Sequence, residues 1–223
     1  YADEGTVAHR VAEDCLRSGM NAVKYLGGMI PLNGVEYEIT QDMVDAVQLY
    51  LDTVRNDWQP SNNHELKVEH KFKLDWLYPG MFGTNDAMVC EPFGVLRVYD
   101  FKYGAGVPVE VESNPQMMYY ALGAAKGDAY ESVELVVVQP RAPHSEGPIR
   151  RASMPIEDLT RWGNEVLLPG AKATDAENAP LNAGEHCRFC PALAVCPAQK
   201  ALAVSVAQEV FADKSAAPPS PEQ

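Results

Sequence analysis

The sequence predicts an α/β protein in which a mixed sheet is flanked by helices and followed by a cysteine-bearing appendage. Three observations carry this. Two amphipathic helical patterns open the chain, residues 65–104 alternate with the period of half-buried strands, and residues 133–140 form a continuous apolar run. Such a run suits a strand covered on both faces. The order helix, helix, strands, helix, strand, helix is that of helices packed on a sheet.

Residues 5–18 form a helix whose stripe is Ala8, Val11, Ala12 and Cys15 and which Gly19 stops. The segment GGMIPLNG is a loop. Thr40 is the N-cap of a second helix over 41–57, with Met43, Val44, Val47, Tyr50, Leu51 and Val54 as its apolar face. Residues 65–74 read as a half-exposed strand with Leu66, Val68, His70 and Phe72 on one face. Strands over 84–91 and 95–104 are joined by PFG in the manner of a hairpin. A helix over 114–127 is entered at Asn114-Pro115 and ended at Gly127. The apolar strand 133–140 follows, then a strand over IRRASMP, a helix over 155–168, a loop rich in Ala, Asn and Gly, and a last helix near 197–211. Residues 1–212 are expected to form one domain that includes a cysteine segment at 183–200, and the Pro/Ser-rich residues 213–223 are expected to be a disordered tail.

The chain has 223 residues, 46% of them hydrophobic and 22% charged, enough for one packed domain and too apolar for wholesale disorder. No run of ~18 apolar residues marks a membrane span, and no charged-then-apolar leader is present. The sequence starts at Tyr1 rather than Met and is read as a piece lacking its natural N-terminus. Acidic residues number 31 against 18 basic ones, a formal charge of -13. This argues against a broad electrostatic grip on DNA and leaves room for a local basic groove or bound metal ions to reverse the local sign.

The most informative segment is GTNDAMVCEPFGVLRVYDFKYG. Leu96, Val98, Asp100 and Lys102 share one strand face, so two apolar residues are followed by an acid and a base. Asp86 lies on the preceding strand, on the face of Met88 and Cys90, and reaches Asp100 across the hairpin. Neighbouring carboxylates repel, and a bound cation relieves the repulsion. Hard oxygen ligands suit Mg²⁺ or Mn²⁺. Lys102 projects with Asp100 and can polarise a water or hold a phosphate oxygen. A metal and a fixed cation are the minimum equipment for phosphodiester hydrolysis. Taken alone, an Asp-x-Lys triplet is more often a solvated pair at a strand end. Glu69 reads either as a supporting acid or as a surface residue.

The order GTND, then YDFK, resembles the core of the PD-(D/E)xK nucleases. Three features narrow the resemblance to the RecB-like branch: GTVAH at 5–9, similar to its Gly-then-His motif; Gln116-x-x-x-Tyr120, similar to its Q-x-x-x-Y motif; and the cysteines described below. The resemblance spans about residues 5 to 197. It is strongest to phage and prophage exonuclease-like proteins, with AddB and the cluster-bearing CRISPR-adaptation nucleases more distant. It implies a restriction-endonuclease-like fold and a metal-dependent DNA exonuclease acting in recombination or repair, in the cytoplasm of a bacterial host. His9, Asp86 and Asp100 would hold Mg²⁺ or Mn²⁺, joined by the backbone carbonyl of Phe101. Lys102 would assist the attacking water, and Gln116 and Tyr120 would contact DNA. Tyr119 adjoins Tyr120, and the four-residue spacing favours Tyr120. DNA is the implied partner, with a single-strand annealing protein as a further one. The alternatives are a non-catalytic DNA-binding or recombination scaffold on the same fold and a zinc-stabilised interaction module.

Cys187-x-x-Cys190-x5-Cys196 places three of the five cysteines within ten residues. Without a secretory leader this density reads as metal ligation, by zinc or an iron–sulfur cluster, before disulfides. In RecB-like relatives a trio of this spacing belongs to a 4Fe–4S cluster whose fourth cysteine comes from the N-terminal region. Cys15 is one candidate, although its place on the apolar stripe reads as core; His186 is another, although it adjoins Cys187; a residue upstream of Tyr1 is the favoured one. Cys90, inside a strand, reads as core. Such a cluster is structural, because the acids lie far from it in sequence.

Overall fold

A computed structural model describes residues 2–126 and 129–212. The chain divides into two compact units, one from Tyr1 to Lys172 and one from Ala173 onward. No described helix is long and apolar enough to cross a membrane.

The first unit is a mixed α/β structure. Helix α1 (Ala2–Ser18) buries Val7, Ala8, Val11, Ala12, Cys15 and Leu16, and Gly19 ends it at φ 75° by closing a bond from its N–H to the Cys15 carbonyl. Helix α2 (Gln41–Asp57) starts where the Thr40 hydroxyl accepts the Met43 N–H at 3.3 Å. The main sheet has five strands in the order β3 (Glu65–Lys73), β4 (Phe82–Cys90), β5 (Val95–Phe101), β6 (Ser132–Val138) and β7 (Ile149–Pro155). All pairs are antiparallel except β5 and β6, which run parallel because α3 (Pro115–Ala124) crosses between them. The side chain of Asn114 caps α3 by accepting the N–H groups of Gln116 and Met117.

The sheet separates two cores. Ala87, Val89, Tyr99, Phe101, Val136 and Val138 meet α1 and α2 on one face. Met88, Leu96, Val98, Leu135 and Val137 meet α3 and α4 (Ile156–Trp162) on the other. Strand β6 supplies both cores, which is why its sequence is continuously apolar.

Three expectations are corrected. GGMIPLNG is not a plain loop: Met29–Leu32 (β1) and Val35–Glu38 (β2) form a hairpin, with Asn33 and Gly34 at φ 52° and 79° in its turn. Positive φ at both central residues is the turn geometry that matches strand twist. Leu66, Val68 and Phe72 do not share one face. Leu66 and Val68 pack into the α1–α2 core, whereas Phe72 and Leu74 belong to the α3 core. The helix from 155 does not stop at 168: after α4 a π-helical turn (Gly163–Leu167) leads into α5 (Leu168–Thr174). Helix α3 is described to Ala124, and the expected stop at Gly127 lies outside the described residues.

The second unit carries a 3-10 turn over Glu185–Phe189 and helix α6 (Pro197–Ala212). The expected tail, 213–223, lies outside the described residues.

Candidate metal centre

Strands β4 and β5 pair from Cys90↔Leu96 to Ala87↔Tyr99 and then part. Asp86 is the next residue on β4 and Asp100 the next on β5, so both acids stand in the fork of the two strands. The Phe101 N–H donates to Asp86 Oδ2 at 2.8 Å, so a side chain takes up the backbone donor that the parted ladder leaves.

Glu69 on β3 falls opposite Asp86, because the flanking pairs are Val68↔Ala87 and His70↔Asn85. Its φ is 49°, in the left-handed region, at a cost of ~1–3 kcal/mol for a non-glycine residue. This backbone twist explains the change of face along β3: Val68 and Glu69 both turn toward α1. Strand β4 changes face at the same level, so Asp86 does not share the face of Met88 and Cys90 as expected: those two lie in the α3 core while Asp86 turns to His9. Ala87 packs into the α1–α2 core, while Asn85 comes within 3.5 Å of the Tyr120 carbonyl on α3.

Helix α1 brings the third group. His9 Nδ1 lies 3.6 Å from Asp86 Oδ1, and one ligand atom each of His9, Glu69 and Asp86 lie within 4.8 Å of one another. Among the described residues no other set of three His, Cys, Asp or Glu side chains gathers this closely. The group lines a cleft of about 490 Å³ together with Gly5, Thr6 and Lys102. Lys102 Nζ lies 3.1 Å from Asp100 Oδ1 and 3.0 Å from Oδ2. Asp100 is 3% exposed, so its carboxylate is buried against the Lys102 ammonium. The hydroxyl of Tyr50, whose ring stacks on Phe101 at 4.9 Å, is buried without a hydrogen-bond partner among the described residues.

Burial pushes the Asp86 carboxyl up to about 7, the Asp100 charge adds to this, and the Phe101 N–H and Lys102 oppose it. Burial, and then Asp86, raise Glu69. Burial lowers His9 against the attraction of Asp100 and Glu69. The imidazole is thus held neutral, as a metal ligand must be, and Lys102 is the cation paired with the acids at the fork, on Asp100. Two carboxylates and one neutral imidazole are a donor set for Mg²⁺ or Mn²⁺.

His9 and Asp86 come together as the sequence expected. Asp100 stands at the same fork, held by Lys102 and outside the closest set of three. Glu69 takes the place beside His9 and Asp86. Sequence pattern could not assign it, because a left-handed glutamate inside a strand has no compositional signal. Gln116 Nε2 donates to the Tyr120 hydroxyl at 2.9 Å, which confirms their shared helix face. Both stand on the α3 side of the sheet, and neither lines the cleft.

In the second unit Cys187 and Cys196 are half-buried and Cys190 is exposed, with Cys187 Sγ 3.8 Å from the Asn182 carbonyl. Their donor chemistry suits a soft metal, although the three sulfurs do not gather within 4.8 Å of one another. Cys15 and Cys90 are buried in the two cores of the first unit, and burial raises the Cys15 thiol.

A family profile described as "Protein of unknown function (DUF2800)" matches residues 1–221. A solved structure titled "Crystal structure of SSO0001" is similar over 70% of this chain and 69% of its own, at 17% identity and a TM-score of 0.35. That likeness is too low to carry an argument.

Proposed function

The chain belongs to the DUF2800 family, and we propose that it is a divalent-metal-dependent DNA nuclease with a restriction-endonuclease-like, RecB-type PD-(D/E)xK core. The observation that carries this is the strand fork, where His9, Glu69 and Asp86 converge beside an Asp100–Lys102 pair. His9, Glu69 and Asp86, with Asp100 behind them, would hold Mg²⁺ or Mn²⁺. The ion supplies a Lewis acid and an activated water.

The rest falls to the chain's own residues. The Phe101 N–H fixes the rotamer of Asp86 by holding Oδ2 and leaves Oδ1 turned to His9. Asp100 anchors the Lys102 ammonium at the cleft wall, where it can orient a water or neutralise a phosphate oxygen. Gly5 leaves open space at the cleft wall, because a Cβ there would meet nothing within 4 Å.

Finer readings belong to the same proposal: exonuclease action in phage or prophage recombination, Gln116 and Tyr120 as DNA contacts, and an iron–sulfur or zinc centre on Cys187, Cys190 and Cys196. Digestion of end-labelled linear DNA beside closed circular DNA, in Mn²⁺, tests the reading. Loss of label with intact circles is expected. Nicked circles would replace exonuclease by endonuclease action. No cleavage of either would overturn the nuclease reading.

A further inference from the structure

We propose that the outer halves of β3 and β4 form a track for single-stranded DNA leading out of the cleft, an inference that rests on the nuclease reading above. Beyond the face change at Glu69 and Asp86, the next pairs on the cleft side are Lys71↔Thr84 and Lys73↔Phe82. At ~3.3 Å per residue they lie about 7 and 13 Å along the strands from the two acids. Residues directly opposite share a face, so two lysines and an aromatic ring continue the surface on which Glu69 and Asp86 stand.

Both lysines are exposed, and neither enters an ion pair among the described residues. Lys67, on the inner half of the same strand, is by contrast paired with Glu65 at 3.2 Å. In a chain of net charge -13, two adjacent unpaired cations beside a carboxylate cleft are the local sign reversal that a polyanion needs. The Phe82 side chain is 73% exposed, yet its backbone is fixed, because the Tyr119 hydroxyl donates to its carbonyl at 3.0 Å. Next to it the Phe72 ring is wedged against Gly83 and Gly123, where an added Cβ would come within 2.5 and 2.0 Å of the ring. The hairpin is therefore fastened to α3 while the Phe82 ring stays open. An open ring on a fastened backbone can stack an unpaired base, whereas the bases of a duplex are already stacked. The lysines, two residues apart on one strand, would each take a phosphate.

The test is the affinity of the full chain for a fluorescein-labelled deoxythymidine oligonucleotide, measured across a salt series in EDTA so that nothing is cleaved. The double variant Lys71→Gln, Lys73→Gln should lower the salt slope by about 1.4, at ~0.7 per phosphate contact. Lys24→Gln, an exposed lysine elsewhere on the unit, should leave the slope unchanged. Phe82→Ala should weaken binding about tenfold and Phe82→Tyr should restore it, by retention of a stacking face. An unchanged slope in the lysine variant, or unchanged affinity in Phe82→Ala, overturns the track. An equal loss on a blunt hairpin duplex overturns its preference for single strands. Failure of the nuclease reading is separate: it would show as a wild-type chain that binds along this track and cleaves nothing in Mn²⁺.

Discussion

Glu69 is where backbone cost and side-chain use oppose each other most plainly. Its left-handed φ buys nothing for the strand and turns its carboxylate toward His9 and Asp86. Glu69→Gly should therefore fold at least as stably as the wild type and bind Mn²⁺ at least tenfold more weakly, read by thermal denaturation and calorimetry. Asp86 makes a pH prediction. Its carboxyl is raised to about 7 from an ordinary 3.8, so the folded apo protein keeps a proton that the unfolded chain has lost. Below about pH 4 both states hold that proton and there is no cost; above about pH 7 the cost is complete, on the order of 4 kcal/mol. Stability of the apo wild type should thus fall relative to Asp86→Asn as pH rises from 4 to 7, and Mn²⁺ at pH 8 should cancel the difference. His9, which is lowered, acts oppositely in both proteins and drops out of the comparison. Lys102→Ala should lose ~10²–10³ in turnover while it keeps Mn²⁺ affinity, because an ammonium is not a metal ligand. Collapse of Mn²⁺ binding in that variant would give Lys102 a different role.

At the scale of elements, close packing around Phe72 sets the position of α3. Gly123→Ala would place a Cβ 2.0 Å from the Phe72 ring and should destabilise by about 1–3 kcal/mol, seen as a lower melting temperature. The element boundaries show what was legible. Thr40 and Asn114 announce α2 and α3 because each side chain satisfies orphan N–H groups, a local requirement written in local sequence. The β1–β2 hairpin was less legible, since its strands are four residues long and one contains Pro31. Its Asn33-Gly34 turn was the available signal. The hairpin is held from outside: Asp3 on α1 accepts from Asn33 Nδ2 at 3.1 Å and from the Tyr37 hydroxyl at 3.0 Å. A contact thirty residues away in sequence leaves no trace in a short window.

For the whole molecule, the layering followed from periodicity, since a continuous apolar β6 demands helices on both sheet faces. Asp86, Asp100 and Lys102 were legible because an acid and a base interrupt otherwise apolar strands. The fork that joins them to Glu69 was not, because it arises from the register of three strands at once. The two units also carry two kinds of donor cluster, the His9–Glu69–Asp86 set in the first and the cysteine trio in the second. Cys190→Ala should lose bound iron or zinc and visible absorbance while Mn²⁺-dependent cleavage persists; a wild type free of both metals after anaerobic preparation would remove the trio from consideration as a metal site.

The central claim is that the carboxylates at the β4–β5 fork run metal-dependent phosphodiester hydrolysis. The most direct measurement is the release of nucleotides from DNA in Mn²⁺ by the wild type and by Asp86→Asn, each shown to be folded. The wild type should release nucleotides, stop when EDTA is added and resume with excess Mn²⁺, and Asp86→Asn should release none. Equal release by the two proteins, or release that EDTA leaves untouched, would contradict the claim.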